Sequence, residues 1–193
     1  MATSETDLRR QELQERQELL GLLAEALTAN ASASTSEIAA AAGVSRATLH
    51  RVFGGRDDLV ATVYGWLLEQ CDRVFDSSGI DDGPVLETFD RLLEDSYPIA
   101  QAYWMLIAKP ELESVPEFQQ GMEEQDARLE RFFARGQAEG VFRPDLQPRW
   151  LAYSLGGQIM SAWYLVDDGH AGAREVPRLV RAAVIDGIRA TGD

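Results

Sequence analysis

Lys109 is the single lysine among 18 basic residues, and Cys71 is the single cysteine. One cysteine excludes an internal disulfide framework and a cysteine-rich zinc site. The chain has only two histidines, His50 and His170, far apart and in unrelated contexts. No Ser-His-Asp or Cys-His set, no glycine-rich phosphate loop and no metal-ligand spacing can be assembled, so neither an enzyme nor a metal site is expected. Long apolar runs are also missing. The strongest, YWMLIA at 103–108, is far too short to span a bilayer. No basic start followed by an apolar run opens the chain, so no secretory signal is expected and the compartment is read as cytoplasmic. Strict apolar–polar alternation is absent, which argues against strands.

Positive charge is scarce too. The net charge is -14, which argues against nucleic acid as a partner, but the acidity is unevenly spread. Residues 1–60 hold 6 arginines and 9 acids, and residues 61–193 hold the remaining 12 basic residues and 23 acids. Within the first part, Arg46, His50, Arg51 and Arg56 fall in eleven residues. Attraction to phosphate is screened beyond roughly 8 Å at physiological salt, so the local cluster outweighs the total.

What is present is helical. Hydrophobic residues make up 45% of the chain, enough for a real core. Asp7 to Ala29 carries a helical stripe that is apolar only after Glu18. Arg9 and Arg10 lie in the polar part, which reads as an exposed extension. Thr35 or Ser36 is the expected N-cap of a second helix, with Glu37 in its first turn and Ile38, Ala39 and Ala42 inward. Gly43 closes that helix, because glycine takes the left-handed conformation freely. Ser45 caps a third helix, Arg46 to Phe53, with Leu49, Val52 and Phe53 inward. Two short helices joined through a glycine turn form a helix-turn-helix, whose second helix enters the DNA major groove. A long helix follows, about Leu59 to Phe75, with Asp57 or Asp58 at its start. Cys71 sits on its apolar stripe and reads as a buried core thiol.

Further on, Pro84 opens a helix that Pro98 is expected to end, with another helix beginning there. Pro116 starts a long helix with an inward line of Phe118, Met122, Gln125, Leu129 and Phe132. Gly140 ends it, GVFRPDLQP forms a turn, and the last two helices run from about Pro148 and from about Val176. The reading is all-α, about nine helices: a helix-turn-helix domain at 1–58 and a second helical domain at 59–193.

The stretch resembles the DNA-binding domain of the tetracycline-repressor (TetR) family. The match is carried by Ile38-Ala39, Gly43-Val44-Ser45, Thr48-Leu49, Phe53 and Arg56-Asp57-Asp58-Leu59. His50 stands where the family carries tyrosine, and Arg56 where it carries lysine. The resemblance implies a homodimeric regulator that binds a near-palindromic operator and answers to a small molecule. It implies that Arg46, Thr48 and Arg51 face bases, and that Thr35, Ser45, His50 and Arg56 hold phosphates. Arginine is the commonest specific partner of guanine, and hydroxyls suit phosphate.

The second domain is rich in aromatic side chains, which serve equally as core or as the lining of an apolar cavity. Trp66, Phe89, Tyr103, Trp104, Met122, Gln125, Phe133 and Trp163 are the candidate lining residues. Gln125 is the most telling, since a buried amide among apolar neighbours needs a partner. A small apolar or aromatic effector is the expected ligand. The small residues of the last two helices, Gly156, Gly157, Ser161, Ala182, Ala183 and Gly187 among them, fit helices packing closely across a two-fold axis. The reading is a repressor released from its operator by an effector. The alternative is a DNA-binding regulator controlled by a protein partner, with no small ligand.

Overall fold

The computed structural model describes residues 2–30, 32–107 and 116–189, with side chains described at all of these except 2–6, 101–107, 117 and 186. Among the described residues there are eight α-helices and one isolated bridge, Phe142 with Arg189. The helices are α1 (Ala2–Ala29), α2 (Thr35–Ala41), α3 (Arg46–Phe53), α4 (Arg56–Ser78), α5 (Val85–Ile107), α6 (Pro116–Ala138), α7 (Pro148–Asp167) and α8 (Val176–Ile188). The chain divides into two compact units, Met1–Trp66 and Leu67–Asp193, so the division falls inside α4. No described helix is long and apolar enough to cross a membrane.

In the first unit, Leu20, Leu23 and Leu27 of α1 are buried, as are Ile38, Ala39, Leu49, Phe53, Leu59, Val63 and Tyr64. The turns of α1 that precede these leucines are exposed, as their Gln, Glu and Arg content dictates. The cap of α2 lies one residue earlier than its sequence suggests. Ser34 Oγ accepts from the Glu37 amide at 3.3 Å, and the Glu37 carboxylate accepts from the Ser34 amide at 2.7 Å. This reciprocal box occupies two orphan amides at once, which Thr35 at the first helical position cannot do. Hydrogen bonds to its carboxyl from the Ser34 side chain first and the Ser34 amide second hold Glu37 below its usual range. Gly43 has φ 68° and turns the chain from α2 into α3, where Ser45 is the cap as expected.

Val52 is a second difference: it points outward, 45% exposed, while Leu49 and Phe53 carry the core face of α3. At about 100° per residue Val52 lies well round from Phe53, and a helix of eight residues needs only the two anchors.

In the second unit, the core is an aromatic cluster. Phe142 packs edge-on to Phe89 and Phe132, at ring separations of 6.4 and 6.0 Å, and tilted against Phe133 at 5.5 Å. The space for Phe142 exists because residue 136 is glycine. A Cβ there would run into the Phe142 ring and lie 3.1 Å from Val85. The turn after α6 is thereby pinned: the Phe142 amide donates to the Gly136 carbonyl at 3.0 Å, and the Arg143 amide to the Ile188 carbonyl at 2.7 Å.

Pro98 does not end a helix. It lies inside α5, so two predicted segments are one and the helices number eight among the described residues. An interior proline costs about 3 kcal/mol through a missing hydrogen bond and a clash. Burial of Phe89, Leu92, Leu93 and Ala100 on both sides of it outweighs that. On α8, Val180, Val184, Ile185 and Ile188 face the core, whereas Ala183 and Gly187 are exposed. Ile185 takes the inward register because its larger side chain buries more apolar area.

Gly136→Ala forces the Phe142 ring to move or the turn to open. Overpacking of this kind costs about 1–3 kcal/mol. The expected outcome is a lower urea midpoint with an unchanged slope, measured by helix circular dichroism.

Candidate nucleic-acid interface and effector cavity

The exposed side of α3 carries Arg46, Ala47, His50 and Arg51, four positions that recur on one face at i, i+1, i+4 and i+5. Ser45 fixes how this face begins. Its Oγ accepts from the Thr48 amide at 3.0 Å and pairs with the Thr48 hydroxyl at 2.8 Å. Thr48 is half-buried behind that pair, and Thr35 is half-buried at the start of α2. Arg56 has a structural contact as well: its Nε donates to the Ala33 carbonyl at 3.2 Å, fastening the start of α4 to the α1–α2 loop. Next to it, Asp58 accepts from the Gly55 amide at 3.1 Å and caps α4.

The second unit contains a cavity with about 830 Å³ of empty space, its mouth included. The wall from α4 is Cys71, Val74 and Phe75; from α5 it is Leu92, Leu93, Ser96, Ile99 and Ala100. Met122, Gln125, Asp126 and Leu129 of α6 and Ala152, Tyr153, Leu155, Gly156 and Ile159 of α7 complete it. The lining is mostly apolar, with a few polar groups, as small-molecule sites are. Asp126 is the one carboxylate among the described lining residues. Burial pushes its carboxyl above the usual range, against the charge of Arg149 and a hydrogen bond from Tyr153. Arg149 in turn stacks 5.7 Å over the Tyr153 ring and hydrogen-bonds its hydroxyl.

On α7, Trp150, Tyr153, Tyr164 and Leu165 are exposed, Trp150 to 62% and Tyr164 to 56%. Gly157 and Ser161 lie exposed between them.

Comparison with known proteins decides the family. The family of bacterial regulatory proteins named for tetR matches residues 30–63. The transcriptional regulator NfxB of Pseudomonas aeruginosa is 32% identical over 137 residues, covering 66% of this chain and 70% of NfxB. The chain belongs to the TetR family. It is a DNA-binding regulator of transcription of the TetR type, like these relatives. The transcriptional repressor LfrR of Mycolicibacterium smegmatis is 24% identical over 157 residues, covering 81% of this chain and 77% of LfrR. The structure of LfrR in complex with proflavine superposes with a TM-score of 0.74 at 19% identity, covering 91% of this chain and 97% of that one. The ketosteroid regulator KstR2 of Mycobacterium tuberculosis superposes with a TM-score of 0.71 at 21% identity, covering 92% and 96%.

The family match spans the α2–α3 pair, so its α3 is the helix on which this TetR protein presents Arg46, His50 and Arg51 to solvent. Of the candidate lining residues, Met122 and Gln125 border the cavity. Phe89 and Phe133 are fully buried in the aromatic cluster instead. Trp66 belongs to the first unit, where its indole donates to Gln17. Trp163 packs edge-on to Tyr164 at 4.9 Å, away from the lining. The side chains of Tyr103 and Trp104 lie outside the described residues. Asp126 and Ser96 escaped the sequence reading. Asp126 stands one turn after Met122, and that spacing on a lining helix was the available signal.

Gln125 is buried, and it finds its partners within the protein. Its Nε2 donates to the Leu68 carbonyl at 2.9 Å and to Asp72 Oδ1 at 3.2 Å. Cys71, beside it on the wall, is pushed up to about 12 by burial first and then by the Asp72 charge. Its thiol is therefore protonated at neutral pH. A thiol-specific disulfide reagent at pH 8 is expected to leave Cys71 unlabelled in the native protein and to label it at once in denaturant.

Proposed function

We propose that this chain is a cytoplasmic repressor that binds a near-palindromic operator as a homodimer and leaves it when a small molecule fills the second unit. The observation that carries the reading is the exposed Arg46–His50–Arg51 face on a helix rigidly capped by Ser45. Arg46 and Arg51 serve as base readers. His50 and Ser45 serve as phosphate contacts, with Thr35, Thr48 and Arg56 supporting the register. Exposed Ala47 adds an apolar surface suited to a thymine methyl. The α7 face of Trp150, Tyr164 and Leu165, with Ala183 and Gly187 on α8, supplies the dimer contact. Those small residues face outward, where a partner helix approaches closely. In such a dimer the two reading helices lie about 34 Å apart, one turn of DNA.

The effector is a largely apolar molecule, and Asp126 selects a cationic one. A carboxylate on an apolar wall attracts a cation far more strongly than it would in water. LfrR was crystallised with proflavine, a planar cation, and the same fold in KstR2 serves a ketosteroid regulator, so the lining rather than the fold sets the ligand.

Two measurements test this. Selection from a random DNA pool should return a symmetric site, and Arg46→Ala should weaken binding to it by about 1–3 kcal/mol while relaxing preference at one base. Unchanged affinity and preference would remove Arg46 from the interface. A melting screen that pairs lipophilic cations with neutral compounds of the same shape should raise Tm for the cations, and those compounds should lower operator affinity. If no compound moves Tm while the operator is still selected, control passes to a protein partner.

A further inference from the structure

Asp126 is half-buried on the cavity wall, one turn before Glu130 on α6. Among the described residues its charge is met by Arg149 alone, and at one remove. Arg149 Nε donates to the Tyr153 hydroxyl at 3.1 Å, and that hydroxyl donates in turn to Asp126. The direct ion pair of Arg149 is with Glu130, 3.8 Å from Nη1. Glu123 and Glu130 add their negative charge to the surroundings of Asp126. Three carboxylates therefore share one guanidinium, and this part of the wall is short of positive charge.

The aromatic lining narrows how a cation is held here. Phe75 and Tyr153 are the aromatic rings among the described lining residues. Each already carries a guanidinium: Arg128 lies 5.4 Å over Phe75, and Arg149 lies 5.7 Å over Tyr153. A quaternary ammonium is held by a cage of free ring faces, and two rings already engaged do not make one. Asp126 favours a different cation. A carboxylate withdrawn from water needs hydrogen-bond donors as well as an opposite charge. An amidinium or guanidinium brings both, as two parallel N–H groups in the plane of the charge. A methylated ammonium brings charge without a donor.

We propose that Asp126, with Tyr153 and Arg149 behind it, selects a planar cation that bears N–H groups, an amidinium or guanidinium on an apolar body, over a quaternary ammonium and over a neutral molecule of the same shape. The selector rests on the effector reading above and names the chemistry of the ligand. Asp126 receives the N–H groups, and the Tyr153 hydroxyl steadies its carboxylate. Arg149 sets the threshold. Its like charge opposes the ligand, so a cation binds beside it only by bonding Asp126 directly. Glu130 remains as the partner of Arg149 when the ligand takes Asp126.

The test is calorimetric titration of the full chain with three probes that share one ring system and one point of substitution: naphthamidine (a cation at neutral pH), naphthamide and trimethylnaphthylammonium. The amidinium should bind the wild type about tenfold more tightly than either of the others, through a charge-assisted pair on an apolar wall. Asp126→Asn, which keeps the shape and removes the charge, should bring the amidinium down to the level of the amide. Arg149→Gln should tighten the amidinium about threefold, through loss of a half-exposed like charge, and leave the amide within about twofold. A merely structural part for Arg149 predicts weaker binding of all three probes instead. The proposal is overturned by an amidinium that fails to bind, that binds no better than the ammonium, that is indifferent to Asp126→Asn, or that Arg149→Gln weakens or leaves unchanged. Operator affinity, read alongside, separates the selector from the repressor reading. Amidinium selection without any change in operator affinity supports the selector and refutes effector release. Operator release by another compound, with no preference for the amidinium, refutes the selector and leaves the repressor reading intact.

Discussion

Phe142 lies over Gly136, and most of the second unit depends on that close approach. The ring occupies the place where a side chain at 136 would be, and from there it touches Phe89, Phe132 and Phe133. The turn that carries it is held at both ends, to Gly136 and to Ile188. Where α7 begins and where α8 ends are therefore set by one ring. Since α7 supplies Ala152, Leu155, Gly156 and Ile159 to the cavity, the wall opposite α4 is fixed by the same anchor. A packed core transmits displacement poorly in small steps, because it is close-packed and changes arrangement discretely.

The polar groups of this core are few and are spoken for. Among the described residues, no buried side-chain nitrogen or oxygen lacks a partner. Gln125 reaches α4, and Arg135 donates to the carbonyls of Gly83 and Ile80, closing the loop between α4 and α5. The half-buried polar groups left on the cavity wall include Ser96 and Asp126. The acidic surplus of the chain has one representative there, and its environment makes it more basic than an exposed aspartate.

The all-α fold was legible in the sequence because helical periodicity and punctuation coincide. Gly43, Gly140 and Pro148 stand at ends that the structure also has. What misled was punctuation without context. Pro98 reads as a stop, yet its neighbours bury enough surface to carry the helix through. Thr35 reads as a cap, yet Ser34 is the one whose spacing to Glu37 completes a reciprocal pair. Val52 was placed inward by residue type, whereas register, not type, decides which of two neighbouring apolar residues is covered. The helix-turn-helix could be read residue by residue, since it is local. The cavity could not, because its wall is assembled from four helices far apart in sequence. Aromatic content alone does not distinguish Phe133, a core ring, from Met122, a lining side chain.

The outward face of α3 owes its charge to arginine, with no lysine in the whole first unit. A guanidinium lacks the amine that acyl-transfer chemistry acts upon, so lysine acetylation has no handle on this face and cannot be the means by which its charge is removed.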